Sequence, residues 1–351
     1  MMDKFKMYTV ESVTCGHPDK VCDQISDAIL DECLRQDPLT RAGIECFGNH
    51  GLLVIGGEVT TRAKFNAEKI ARKVYKKIGY KNKLDVITGI VKQSPDIAQG
   101  VDTGGAGDQG IMYGYATNET KEFLPAGIVL VHKLVKGLED LRRSGKIKWL
   151  RPDGKAQVTY ENDKIKTILI SCQHDKKIKQ AEIKKELTEK LIKPLVRNVK
   201  GIKILVNPTG KFVQGGFEAD AGLTGRKIMV DTYGGLISHG GGCFSGKDPS
   251  KVDRSAAYMA RFAAKNIVAH GLAKKCLVSV SYAIGKVDPL MVSAINEKGE
   301  DISEIVRKKF NFQPREIIKK LGLRRPIYSK TAAYGHFGKA DLPWEKVMKK
   351  L

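Results

Sequence analysis

The stretch Gly240-Gly241-Gly242-Cys243-Phe244-Ser245-Gly246-Lys247-Asp248-Pro249-Ser250-Lys251-Val252-Asp253-Arg254-Ser255 organises the chain. A glycine-rich turn runs into what reads as a helix start. Asp248 is placed as an N-cap and Pro249 suits the first helical position. Helical periodicity continues to about Ala269, with Gly271 as the stop. Glycines let backbone approach a ligand closely, and a helix N-terminus presents N–H groups and partial positive charge. Lys247 and Lys251 stand one turn apart, followed by Asp253 and Arg254. The stretch therefore reads as an anion site with a carboxylate able to hold a metal. Gly241 to Lys247 fits the first seven positions of a P-loop, but the eighth residue is Asp248 rather than Ser or Thr. The hydroxyl that would reach magnesium is missing, so the P-loop reading is set aside.

The 351 residues, 42% of them hydrophobic, are enough for a sizeable core in two or three domains. Lys plus Arg is 61 against 39 Asp plus Glu, a net charge of +22, which favours an anionic partner. Much of that charge is dispersed along a helix face (Lys176, Lys177, Lys179, Lys184, Lys185) that reads as solvated. Seven cysteines without a C-x-x-C pair indicate neither a disulfide framework nor a zinc site. No signal-peptide core or membrane-length apolar run is present, so a cytoplasmic protein with reduced thiols is expected.

Working outward, a strand ends at Gly16 and His17-Pro18-Asp19-Lys20 opens a helix to about Gln36. Asp19, Asp23, Asp27 and Asp31 recur every fourth residue, a spacing that costs an isolated helix ~0.2–0.5 kcal/mol per pair. Water or Lys/Arg partners are expected for the last three. Asp19, beside His17 at the helix start, is placed for a ligand. Residues 44–60 alternate as a hairpin or strand pair carrying Glu45 and Glu58. A helix (about Ala63 to Ile78) and a strand (Asp85 to Val91) follow. Lys92 to Gly110 is long, polar and aperiodic, and reads as a mobile gate between domains.

The middle third reads as a helix (Pro125 to Ser144), a turn over Trp149 to Lys155, strands Ala156–Tyr160 and Lys166–Cys172, a lysine-rich helix to about Ile192, and a strand Ile202–Val206. The turn Asn207 to Phe212 carries a cation and an aromatic. The last third adds the Asp220 to Lys227 loop, a strand Ile228–Thr232, strands Leu277–Ala283 and Leu290–Ile295, and two short helices. Each third mixes strands and helices in α+β fashion.

Taken together, Gly16-His17-Pro18-Asp19-Lys20, Gly105-Ala106-Gly107-Asp108-Gln109-Gly110, the Gly240 to Lys251 stretch and Ala332-Ala333-Tyr334-Gly335-His336-Phe337-Gly338 closely resemble the S-adenosylmethionine synthetase family across nearly the whole chain. The resemblance implies an α+β fold of three similar domains with approximate threefold symmetry and sheets packing at a dimer interface. The domains are placed at 1–95, 105–213 and 214–351, with residues 96–104 as a flexible gating loop. It further implies a homodimer with shared active sites, assembled as a dimer of dimers. The implied reaction joins ATP and L-methionine into S-adenosylmethionine and then splits the bound triphosphate into phosphate and diphosphate.

Carried over by motif, the resemblance gives catalytic roles to His17, Lys155, Arg226 and Lys247. It places ATP against His17, Asp153, Gly154, Lys155, Lys211, Phe212, Asp220, Arg226, Lys227, Cys243 and Lys247. Methionine contacts fall to Glu58, Gln93, Asp220 and Lys251. Asp19 and Asp253 would hold magnesium, two ions per active site, and Glu45 potassium. Four positions depart from the family pattern: Cys15 replaces Glu, the gating loop is shorter, Lys211 replaces Arg, and Cys243 replaces Ala. Cys15, beside His17 and near basic groups, is expected to make the protein sensitive to oxidation. A thioether nucleophile has no proton to lose, so alignment and leaving-group charge are expected to dominate the barrier. Another nucleotide-dependent phosphotransferase is the alternative. A nucleic-acid-binding protein ranks last, because no RNA-binding motif or interleaved aromatics accompany the lysines.

Overall fold

The computed structural model describes residues 6–92 and 104–351. Three sheets, two mixed and one antiparallel, each backed by helices on one face, form the molecule. The first sheet has the order β1-β6-β7-β8, from Met7–Val13, Leu150–Glu161, Lys164–His174 and Lys203–Val206. The second runs β4-β3-β2-β9, from Asp85–Val91, Leu52–Thr60, Arg41–Asn49 and Gly222–Leu223. The third runs β11-β10-β5, from Met291–Asn296, Lys275–Tyr282 and Gly110–Thr117. Every sheet thus draws strands from more than one third of the chain. Because β1 joins β6 and β9 joins β2, the thirds are stitched together by backbone hydrogen bonds.

Helices α1 (Pro18–Gln36) and α2 (Ala67–Ile78) cover the second sheet. Helices α3 (Ala126–Arg143) and α4 (Gln180–Leu187) cover the first. After the short helix α5 (Ile228–Asp231), α6 (Val252–Ala269) lies across β5 and β10. Then α7 (Ser303–Lys309) packs on β11 and α8 (Pro314–Leu321) on α6. The alternation in β2, where Ala42, Ile44 and Cys46 are buried and Glu45 is exposed, turns one face to α1 and leaves the other open. The open faces carry apolar side chains, including Ile87 at 57% and Val91 at 64% exposure on β4.

Helix α6 is buried on all sides, as expected for a helix enclosed by other elements. Its two arginines are neutralised in place. Arg254 forms a fork on Asp27 at 2.7 and 2.8 Å, and Arg261 pairs with Glu345 at 2.9 Å. Paired, hydrogen-bonded geometry is what lets such charges sit in a core.

Several local expectations change. Helix α6 begins at Val252 with Lys251 as its N-cap, not at Pro249. Asp248 instead accepts hydrogen bonds from the Ala42 and Ser250 amides, each at 2.8 Å, which fastens the loop to β2. The Ile228–Thr232 run is the helix α5 rather than a strand: the Asp231 amide reaches back to Lys227 O, and the Thr232 hydroxyl caps Ile228 O. Strand β6 starts at Leu150, so Arg151 to Lys155 belong to the strand, through a register shift between Leu150 and Gly154. Helix α2 starts at Ala67, where Asn66 accepts the Lys69 amide at 2.8 Å.

Candidate active site

The His17 side chain is itself the N-cap of α1. Its Nδ1 accepts the Asp19 amide at 3.2 Å, and the residue is buried. Burial pushes the imidazole down to about 3, with the Lys227 charge adding to the effect and Asp19 opposing it. The ring is therefore neutral near pH 7. With Nδ1 accepting, its proton sits on Nε2.

Asp19 is the hub. Its Oδ1 accepts the Leu223 amide at 2.9 Å, its Oδ2 accepts Lys227 Nζ at 2.5 Å, and Arg226 Nε lies 3.8 Å from Oδ1. Burial alone would raise this carboxyl, but the bonds from Lys227 and Leu223 outweigh it and hold the carboxyl below its usual range. Lys155, exposed on β6, is close enough to depress His17 as well. Beside it Asp153 is buried, its Oδ2 taking the Gly216 amide at 2.8 Å. Burial pushes it up to about 6, with Asp220 adding and Lys155 opposing.

The glycine-rich loop supplies a second group. Lys247 is bonded to Asp253, and Lys251 Nζ reaches Asp248 Oδ2 at 2.8 Å. Glu58 lies against Gly43, which pairs with Lys247 in an isolated bridge and has Lys251 nearby. Gly246, at φ +83°, runs so close to β2 that an added Cβ would overlap Ile44 O. The two groups meet where Cys243 packs on Gly225. Burial raises the Cys243 thiol, in keeping with packing rather than nucleophilic chemistry.

The amides at the end of the loop, from Gly246 onward, are largely taken. The Gly246 amide goes to Asp27 Oδ1, Lys247 N to Phe244 O, Asp248 N to Ala42 O and Lys251 N to Asp248 O. Lys211, Asp220 and Arg226 are exposed, and Phe212 is half-buried, its amide bonded to His174 Nε2 at 3.0 Å. Glu45 stands exposed on β2. Gln93 and the gating loop through residue 103 lie outside the described residues.

The acidic row of α1 finds the expected Lys/Arg partners at Asp23 and Asp27, in Lys20 and Arg254, while Asp31 accepts the Tyr328 and Ser329 amides. Asp23 and Asp27 are fully buried. Lys20, a residue the sequence reading left without a role, sits between Asp23 at 2.9 Å and Asp231 at 2.5 Å. Cys15 departs from expectation. Burial first and Glu139 second push its thiol up to about 11, and it donates to Glu139 Oε1 at 3.4 Å. The thiolate that oxidation would need is suppressed.

The arrangement is a set of Lys and Arg cations with isolated carboxylates and a neutral histidine, without an activated nucleophile among the described residues. Three family models match in succession: the N-terminal domain of S-adenosylmethionine synthetase over residues 5–95, the central domain over 103–212 and the C-terminal domain over 214–346. The chain belongs to the S-adenosylmethionine synthetase family. The S-adenosylmethionine synthase of Mesoplasma florum is 51% identical over 371 aligned residues, covering 98% of each chain. The chain is thus a methionine adenosyltransferase, with the three-domain mixed α/β fold of these synthetases. Among the described residues, no helix of this synthetase is long and apolar enough to cross a membrane.

Proposed function

We propose that the synthetase joins ATP and L-methionine through the residues assembled here and then hydrolyses the triphosphate to phosphate and diphosphate. The observation that carries the assignment of residues is the convergence of Arg226 and Lys227 on Asp19 beside a neutral His17. The methionine sulfur needs no base, so the residues have two tasks: to align sulfur with the 5′ carbon of ATP and to receive charge on the leaving triphosphate. Alignment can contribute ~7–11 kcal/mol, and a fixed donor at developing charge ~3–4 kcal/mol. Lys155, Arg226, Lys227 and Lys247 supply the charge, and His17 donates from Nε2. Asp153, Gly154, Lys211, Phe212, Asp220 and Cys243 surround the nucleotide. Glu58, Gln93, Asp220 and Lys251 hold methionine.

Asp19 and Asp253 each bind a lysine ammonium, and no group of three candidate ligands occurs among the described residues. Single hard carboxylates of this kind suit magnesium, which takes one or two carboxylates together with substrate phosphates. Magnesium on each would add to the neutralisation of triphosphate charge, and Glu45 would hold potassium. The open apolar sheet faces support a homodimer with shared sites, paired again as a dimer of dimers. We assign the domains to residues 1–95, 105–213 and 214–351, with 96–104 as the gate, and the compartment to the cytoplasm. Incubation with ATP, magnesium and potassium, with and without L-methionine, tests the reading. S-adenosylmethionine with equimolar phosphate is expected only with methionine. Phosphate without S-adenosylmethionine would overturn the reading in favour of a phosphotransferase.

A further inference from the structure

We propose that Asp23 and Asp27 are positioning residues of the synthetase reaction, which aim the Arg226–Lys227 and Lys247 cations by holding the backbone of the two loops that carry them. The inference rests on the residue roles proposed above. Its basis is a ladder along one face of α1. Each aspartate of the row accepts a backbone amide from a segment some two hundred or more residues away. Asp19 takes Leu223 N and Asp23 takes Gly225 N, both at 2.9 Å. Asp27 takes Gly246 N at 2.9 Å, and Asp31 takes Tyr328 N at 2.9 Å and Ser329 N at 2.7 Å. A spacing of four residues returns the side chain to nearly the same face, and the four rungs span roughly 18 Å of helix.

The rungs bracket the cations. The loop after β9 is pinned at Leu223 and Gly225 on one side. On the other, Lys20 grips Asp231 at 2.5 Å and the Asp231 carbonyl accepts the His336 amide at 2.8 Å. Arg226 and Lys227 occupy the crest between those pins. The second loop is pinned at Gly246 by Asp27, and Arg254, bound to that same carboxylate, also donates to Lys247 O at 3.0 Å. The Gly43–Lys247 bridge fixes the loop's other side. Lys and Arg are long, and a cation acts on developing charge only where its backbone is held. A misplacement of about 1 Å can cost on the order of 100-fold in rate. Asp31 provides an internal control, since its loop carries no proposed site residue.

Asp23→Asn and Asp31→Asn in the full-length enzyme, with inorganic tripolyphosphate as binding probe, test the inference. Asp23→Asn should lower kcat on the order of 100-fold. Its methionine KM should stay within about threefold, and tripolyphosphate affinity should fall about tenfold, a loss of one lysine-class contact. Asp31→Asn should keep kcat within about threefold even where it lowers the thermal midpoint. Asp231→Asn releases the far end of the same loop and should reproduce the kcat loss. It serves where Asp23→Asn does not fold. The inference is overturned if Asp23→Asn and Asp231→Asn, shown to be folded, retain wild-type kcat and tripolyphosphate binding, or if Asp31→Asn loses kcat equally. A wild-type protein that makes no S-adenosylmethionine would instead overturn the residue roles, and the tripolyphosphate arm would still report on the ladder.

Discussion

Replacing Glu345 by Gln should lower the thermal midpoint of the protein by roughly 4–7 °C. The carboxylate is saturated: Oε1 accepts Arg261 Nε and the Gly338 amide, and Oε2 accepts Arg261 Nη2 and Lys265 Nζ, at 2.8–2.9 Å. Glu345 and Arg261 are fully buried in their side chains, and Lys265 nearly so. Gln preserves the volume, so the packing loss is small. It removes the charge and turns an amide N–H₂ toward two cations. Breaking a buried pair from one side costs ~3–5 kcal/mol, because the remaining charge stays in a medium that solvates it poorly. Unfolding entropy of ~2.1 cal/mol/K per residue amounts to about 0.7 kcal/mol/K over 351 residues. The quotient gives the stated shift.

The effect has a pH signature. Burial alone would raise the Glu345 carboxyl, but Arg261 and then Lys265 outweigh it and hold it below the usual glutamate range. A carboxyl depressed in the folded state stabilises the fold above its unfolded pKa of about 4.3, and that contribution is lost as pH falls through the lower folded value. The gap between wild type and Glu345→Gln, read by calorimetry, should therefore hold constant between about pH 6 and pH 8 and narrow only below about pH 4. A variant within one degree of wild type near pH 7 would refute the reasoning. It would mean that the Tyr115, Glu122 and Phe123 carbonyls, which Arg261 also contacts at 2.7–2.8 Å, satisfy the guanidinium by themselves.

Lys155→Met should lower kcat by roughly 100- to 1000-fold while ATP affinity falls less than about tenfold, in line with its proposed role at the leaving group. Equal losses in steady-state kinetics and in equilibrium nucleotide binding would remove that role. Cys15→Ala should leave peroxide sensitivity as it is in the wild type, because the buried thiol is held near about 11. Protection by the substitution, measured as residual activity after peroxide, would contradict the burial argument. Gly240→Ala should cost about 1–3 kcal/mol, because its Cβ would overlap the Ile111 carbonyl, a backbone atom with no rotamer to yield. A urea midpoint equal to wild type would show that the loop shifts freely.

Elements whose signals are local were legible in the chain. Pro18 after a capping residue starts α1, and strand Asp85–Val91 is where its β-branched run placed it. The alternating hairpin of β2 and β3 also stands, because register there is fixed by which face is buried. The failures share a cause. Asp248-Pro249 satisfies the local rule for a helix start, yet the Asp248 carboxylate is taken by the Ala42 amide from another strand. Ile228–Thr232 has strand composition, yet the Asp231 amide returns to Lys227 O and four residues close a helical turn instead.

The acidic row of α1 carries the point further. Like charges at four-residue spacing leave a helix two remedies by local reasoning, water or cations. Three rungs do take cations, Lys227 at Asp19, Lys20 at Asp23 and Arg254 at Asp27. All four take backbone amides as well, and those donors lie in loops that only the completed fold brings alongside. A carboxylate that accepts N–H bonds is stabilised in its charged form without a counterion, so repulsion along the row is offset by donors no spacing rule can count. The same fact explains the glycine-rich loop. Its sequence fits an anion cradle because glycines and a helix follow one another. Gly246, however, gives its amide to Asp27 and is glycine because Ile44 O leaves no room for a Cβ. Under the proposed residue roles, phosphate recognition rests on lysine and arginine side chains, whose loops α1 holds through these amide bonds.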